Sequence, residues 1–247
     1  MKIINNIFEN ISFKINPDEN IKKNFGYKVK KKIFNILGRK RNFEFSNLIL
    51  KNHSEDDEKL KNILMKIEGM SSFANGYIIN QICKSLGPNC NYVNIGVWKG
   101  FSLIAGMIDT RCNVYGVDNF SEFKGPKKDF LNAYNKYKDS EKHFFYELDY
   151  KIFFEEFEKL NKKIDFYFYD GEHSYQNQFD NLIIAKKFFK KDTLILVDDI
   201  NFNDVENATK DFIKKFKGEF EILKEAKTAN NNCHPTFWNG LIIFKKL

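Results

Sequence analysis

The sequence predicts an α/β protein, a mostly parallel sheet with helices on both faces, preceded by a basic N-terminal extension. Three observations predict it. From about residue 66, short β-branched or aromatic runs alternate with longer segments of helical period, the pattern of strands linked by helical crossovers. Several of those runs end directly in glycine or aspartate, and ligands of such sheets sit beyond the carboxyl ends of the strands. Charge also divides the chain into two unequal parts.

The chain has 247 residues, 43% of them hydrophobic, with 27 Phe and 11 Tyr. That is enough apolar mass for one large core, and it excludes wholesale disorder. The net charge is +7. Nine basic residues and no acidic one fall between Ile21 and Asn42, whereas residues 1–20 carry two basic and three acidic residues. Residues 43–247 are left with 29 basic and 30 acidic residues, a net of −1. The basicity therefore belongs to an extension, residues 1–65, and not to the domain expected over residues 66–247. A nucleic-acid binder would need the charge on its folded surface, so none is expected.

Within the extension, Val29, Ile33, Phe34, Ile36 and Leu37 lie at partly helical spacing among lysines. Such a helix suits a membrane interface, or packing on the domain or on a second subunit as a homodimer. No run approaches the roughly 18 apolar residues of a membrane span. The opening MKIINNIFENISFKI is interrupted by Asn and Glu, unlike a signal peptide. Cys83, Cys90, Cys112 and Cys233 are scattered without a CxxC pair, which predicts neither a zinc site nor a disulfide framework and points to a reducing cytoplasm.

The strands are expected at Tyr92–Ile95, Val114–Val117, Phe144–Leu148, Ile164–Tyr169, Thr193–Val197, Phe220–Leu223 and Leu241–Phe244. A helix follows Gly100 over Phe101–Asp109. Ser174 is placed to cap a second, with Tyr175, Phe179, Leu182, Ile183 and Phe189 on one face. Asn203 is placed to cap a third, through Val205, Phe212, Ile213 and Phe216, closed by Gly218. The last two strands, joined by the loop Asn230–Asn239, read as an antiparallel addition at the sheet edge. Cys233-His234-Pro235 in that loop has no ligating partners nearby and reads as loop structure.

The strand ends carry the chemistry. The first runs into Asn94-Ile95-Gly96-Val97-Trp98-Lys99-Gly100-Phe101-Ser102. Gly96 permits a tight turn and close ligand approach, and Gly100 opens a helix whose free N–H groups suit an electron-rich ligand. Trp98, in this glycine loop, reads as packing in preference to substrate stacking. The second strand ends at Asp118, 22 residues beyond Gly96, a spacing at which an acid can hold the hydroxyls of a ribose. Asp149, after the third strand, is either a contact to the adenine end of such a cofactor or a helix cap.

The fourth strand leads into Asp170-Gly171-Glu172-His173, and the fifth into Asp198-Asp199. Neighbouring strands lie about 4.8 Å apart, so Asp170, Asp198 and Asp199 would converge if those strands are adjacent. Carboxylates that close raise one another's pKa unless a cation holds them, and oxygen ligands point to Mg²⁺ or a similar divalent ion. Asp199 is the one most suited to capping a helix instead. His173 is the favoured proton acceptor beside such an ion, with Glu172 the competing base or another ligand.

YVNIGVWKGFS, VYGVDNF, IDFYFYDGEHSY and TLILVDDI, in this order, resemble class I S-adenosylmethionine-dependent methyltransferases. More narrowly they resemble the metal-dependent O-methyltransferases of sugars and macrolides, and the cephalosporin hydroxylase-like group. The resemblance spans roughly residues 66–247. It implies a Rossmann-like methyltransferase sheet in the order 3-2-1-4-5-7-6. It implies S-adenosyl-L-methionine as cofactor, with Asn94, Gly96, Trp98, Gly100, Ser102, Asp118, Asp149 and Asp170 around it. Asp170, Asp198 and Asp199 match the family's metal ligands, and His173 its base. The acceptor it implies is a small molecule, a sugar, nucleotide-linked sugar or surface-polysaccharide or natural-product precursor, and a phosphorylated sugar would suit the basic segment. One departure is Asn94, where the family usually has an acid.

Two rivals remain at this level. An NAD-dependent oxidoreductase would use the same glycine loop and Asp118, but would prefer GxGxxG over GVWKG and has no use for three clustered carboxylates. A catalytically silent binding module tethered through the basic arm would need none of the strand-end chemistry.

Overall fold

The computed structural model describes residues 2–37, 44–122, 125–232 and 234–247. Part of the basic segment (38–43) and Cys233 of the Cys-His-Pro fragment lie outside the described residues.

The extension forms α1 (Lys2–Asn10), β1 (Ile11–Phe13), α2 (Phe25–Ile36), β2 (Leu48–Leu50) and α3 (Glu55–Leu64). After α4 (Phe73–Leu86) the alternation begins: β3 (Asn91–Ile95), α5 (Phe101–Met107), β4 (Asn113–Val117), α6 (Lys127–Tyr137) and β5 (His143–Tyr146). Then come α7 (Tyr150–Lys159), β6 (Ile164–Tyr169), α8 (Tyr175–Ala185), β7 (Phe189–Asp198), α9 (Asn203–Lys215), β8 (Phe220–Ala226) and β9 (Leu241–Lys246).

β3 to β9 make one sheet in the spatial order β5-β4-β3-β6-β7-β9-β8. Counted within the sheet this is 3-2-1-4-5-7-6. The first five strands are parallel, and β9 runs antiparallel between β7 and β8. Central parallel strands are covered on both faces and so read as continuous apolar runs. Strand periodicity then sends alternate residues to opposite sides. Tyr92, Phe166, Phe168, Leu194 and Leu196 enter one core with α4 and α5. Val93, Ile95, Tyr167, Tyr169, Ile195 and Val197 enter the other with α7, α8 and α9.

Ile4, Ile7 and Ile11 of the extension, with Phe45, Leu60 and Leu64, are buried in the same core as α4 and α5. β1 and β2 pair antiparallel as a separate two-stranded sheet. Ser54 begins α3 with a capping box, its hydroxyl accepting from Asp57 N–H while Asp57 accepts from Ser54 N–H.

Four local expectations change. α8 ends at Ala185, and Phe189 belongs to β7. The buried face of α8 is Gln178, Asn181, Leu182 and Ala185, because Thr209 and Tyr167 hydrogen-bond to the two amides and make polar residues acceptable inside. Asn203 does not cap α9. Phe202 holds the cap position without a side-chain hydrogen bond, since a phenyl ring has no acceptor to offer, and its ring lines the candidate site.

The fourth concerns the cysteines. Cys90 and Cys112 form a disulfide, where the spacing predicted none. They immediately precede β3 and β4, whose parallel register pairs Asn91 with Asn113, so the crossover brings together residues 22 apart. Cysteine scatter along the sequence therefore carries no reading of compartment here.

Candidate active site

The site forms where β3, β4, β6 and β7 end. Backbone pairing continues one step past two of them: Gly96 N–H donates to Val117 O, and Asp170 N–H donates to Ile95 O, both at 2.9 Å. Gly96 takes φ +80°, and a Cβ there would overlap the Asp170 carbonyl oxygen. The glycine is needed for left-handed backbone and for this close approach of two chain segments.

The loop after Gly96 is held from both sides. Asp118 accepts from Val97 N–H at 2.9 Å, Trp98 N–H at 2.8 Å and Phe120 N–H at 2.7 Å. Behind the loop, buried Asn94 accepts from Ser102 Oγ at 2.9 Å and donates to Gly96 O at 3.1 Å. Gly100 starts α5 in left-handed conformation, φ +96°.

A cavity of about 390 Å³ opens over these strand ends. Gly96, Trp98, Asp118, Asp149, Asp170, Glu172, His173 and Asp199 line it. Asn94, Gly100, Ser102 and Asp198 are not on its wall, and the first three brace the loop from behind. Asp149 is both a wall residue and the cap of α7, accepting from Lys151 N–H at 2.8 Å.

Asp170, His173 and Asp199 present ligand atoms within 4.8 Å of one another. His173 Nε2 lies 3.0 Å from Asp199 Oδ2 and 3.7 Å from Asp170 Oδ1, close enough for charge to act but without hydrogen-bond alignment. Burial works to lower the imidazole's pKa, but the two carboxylates outweigh it and push it up to about 10. Burial raises the Asp170 carboxyl, with His173 pulling it down and Asp199 pushing it up. Asp199 stands at φ +63°, aimed at His173 and not at a helix end. Asp198 lies outside the cluster and accepts from Asp199 N–H at 3.0 Å. Burial, then the charges of Asp199 and Asp170, raise its carboxyl well above the usual range. Glu172 is exposed, and its carboxylate accepts from Asn177 Nδ2 at 2.5 Å.

The cluster fits a divalent cation, with two carboxylates and one imidazole facing a common point and no thiolate.

Several wall residues carry no motif: Met70, Phe202, Asn232, Trp238 and Asn239. Phe202 stacks on His173 with centroids 5.6 Å apart. The loop bearing Trp238 is pinned by Asn201 N–H to Asn239 O at 2.8 Å. The extension holds its other side: Asn47 Nδ2 donates to Pro235 O at 3.1 Å, and buried His234 meets Glu19 O at 3.1 Å. Burial lowers the His234 pKa, so this histidine is neutral and structural.

Residues 93–200 match the family model described as a methyltransferase domain. No curated protein matches the chain. Among solved structures, the chain is similar to an O-methyltransferase from Bacillus cereus in complex with SAH, with a TM-score of 0.59 and 13% identity over 81% of this chain and 94% of that one. The O-methyltransferase TomG from Streptomyces achromogenes, involved in tomaymycin synthesis and in complex with SAM, gives 0.54 and 10% identity, covering 79% and 91%. A putative O-methyltransferase from Klebsiella pneumoniae gives 0.55 and 10%, covering 89% and 96%. The chain thus has the fold of these enzymes, with the matched domain spanning the site.

Two outcomes follow. Gly96→Ala is expected to cost about 2–3 kcal/mol of stability in denaturant unfolding, from left-handed backbone plus overlap; a loss below experimental error would remove the constraint. In chelator, the raised His173 pKa adds stability that is complete below its unfolded value of about 6.5 and is lost as pH rises toward about 10. Melting curves of His173→Gln should therefore depend less steeply on pH across that window, and parallel profiles would refute the ion pair.

Proposed function

We propose that this chain, whose residues 93–200 match a methyltransferase domain within that fold, transfers a methyl group from S-adenosyl-L-methionine to a hydroxyl of a small, neutral, hydroxyl-rich acceptor such as a sugar. The observation that carries this is the charge of the cavity. Asp118, Glu122, Asp149, Asp170, Glu172 and Asp199 line it, and no Lys or Arg does among the described residues. Six acidic side chains favour a cationic sulfonium and amino group. They oppose a phosphorylated acceptor, so the phosphorylated sugar expected from the basic extension is disfavoured.

Asp118 braces the glycine loop and keeps acceptor capacity for a ribose hydroxyl, since a carboxylate offers about four lone-pair sites and three backbone N–H groups use it. Gly96 and Trp98 border the methionine end in this arrangement, and Asp149 and Tyr150 the far end. Trp238 and Phe202 supply apolar walls that exclude water and orient the acceptor.

In the transfer, the methyl carbon bonds to the acceptor oxygen as its bond to sulfur breaks, and that electron pair stays on sulfur. The hydroxyl proton goes to His173 Nε2. A divalent cation held by Asp170 and Asp199 would supply positive charge that offsets the carboxylates and acidifies a nearby hydroxyl. With the carboxylates engaged by such an ion, their pull on the imidazole would fall, and His173 could take the proton as a neutral base.

The inclusion of His173 in the three-residue cluster supports a second role, as a cation ligand. Titration of Mn²⁺ or Mg²⁺ separates the two. Asp170→Asn and Asp199→Asn should each weaken cation binding about tenfold or more, and Asp198→Asn much less. If His173→Gln lowers turnover while leaving cation affinity intact, the histidine is the base; a matching loss of affinity makes it a ligand.

Side-by-side titration with S-adenosyl-L-methionine and NAD tests the donor. Saturable binding of the sulfonium cofactor and none of NAD is expected. Release of S-adenosylhomocysteine with neutral sugars, with and without Mg²⁺, tests the rest. Tight NAD binding alone, or turnover only with phosphorylated acceptors, would overturn the proposal.

A further inference from the structure

The extension contains a surface that the cavity does not use. Of the twelve large hydrophobic side chains exposed among the described residues, five lie on α2 and its end: Phe25, Val29, Ile33, Ile36 and Leu37, at 80, 41, 49, 76 and 59% exposure. Phe25, Val29, Ile33 and Ile36 follow spacings of four, four and three, so they share one side of the helix. The opposite side faces the protein: Tyr27 is buried, Phe34 half-buried, and Lys31 pairs with Glu44 at 3.6 Å. The outward side is thus apolar by sequence and by placement.

Its borders are cationic. By helical geometry Lys28 and Lys32 flank the apolar stripe on one edge and Lys30 on the other, all three exposed. Lys22 and Lys23 precede the helix, no acidic residue occurs from Ile21 to Leu37, and the sequence continues with Arg39, Lys40 and Arg41. An apolar centre with lysines on both edges lets the chains reach upward to anionic headgroups while the stripe enters the acyl boundary. A second copy laid face to face would set these lysines against their own kind. At twelve residues, α2 is too short to cross a bilayer, and no helix of the described residues is long and apolar enough to do so.

We propose that α2 docks the protein on anionic lipid surfaces, lying in the interface plane. The docked helix continues from Asn16–Ile21, where Pro17 O accepts from Ala229 N–H at 2.8 Å and Glu19 O meets His234. Those contacts hold the loop that carries Trp238 to the cavity wall, so docking presents the cavity from a fixed orientation at the membrane.

The test is co-sedimentation of the full chain with phosphatidylglycerol–phosphatidylcholine vesicles and with phosphatidylcholine vesicles, at low and high salt. Binding to the anionic vesicles alone, weakened by salt, is expected. Lys28→Glu with Lys32→Glu should lower the partition coefficient about tenfold or more, and Ile33→Asp should do likewise. All three positions are solvent-exposed, so circular dichroism should be unchanged; the salt dependence of the unmodified chain tests the proposal independently of the variants. Wild-type chain left in the supernatant with anionic vesicles would overturn it, as would equal binding to both vesicle types. A dimer in sedimentation velocity that Ile33→Asp converts to monomer would assign the stripe to a second copy instead.

Discussion

The close approach of Gly96 to Asp170 is the constraint on which the site depends. β3 and β6 are parallel neighbours in strict register over Tyr92–Ile95 and Phe166–Tyr169, and their pairing persists until the Asp170 N–H reaches the Ile95 carbonyl. Only a residue without Cβ can stand at position 96 with the Asp170 carbonyl against it. With that contact made, the β3 loop turns toward β4, where Asp118 binds its amides. The β6 loop turns toward β7, where His173 meets Asp199. A backbone contact thus divides the cavity between a loop held by backbone hydrogen bonds and a cluster governed by charge.

That division explains the electrostatics. Asp118 is held by three fixed backbone N–H donors. Asp170 and Asp199 have no such amides in their grasp and take their compensation from His173, whose pKa rises accordingly. Asp198 has one amide and deep burial, and its carboxyl is pushed upward. Asp170 and Asp198 are thus both pushed upward, the first with His173 beside it and the second by burial and its acidic neighbours. The protein as a whole separates charge on a larger scale, with acids around the cavity and lysines on α2.

The strands and the acids at their ends were legible because both rest on local patterns. β3, β4, β6 and β9 appear as short apolar runs, and the acids stand immediately after them, where strand geometry leaves no freedom about which end they occupy. The partition of the acids was not legible. Asp198 and Asp199 are adjacent in sequence, and only the left-handed turn at Asp199 decides which of them faces His173. The buried face of α8 was missed because its Asn and Gln each share a hydrogen bond with a partner outside the helix, Tyr167 and Thr209. Trp238 had a usable signal: if β9 pairs antiparallel with β7, the residues just before Leu241 must fall beside Asp198.

By itself, the sequence determined the strand–helix alternation, the carboxyl-end position of Gly96, Asp118, Asp170 and Asp199, and the concentration of basic charge in one segment. Each depends on periodicity or on adjacency to a strand, which are properties of neighbouring residues. Tertiary structure alone decided that Cys90 meets Cys112, that Asn94 and Ser102 stand behind the loop, and that α2 turns its lysine-edged apolar side outward. It also decided that the extension holds the Trp238 loop through Asn47 and Glu19. These are contacts between residues far apart in the chain, and their energies exist only once packing has brought both partners to the same place.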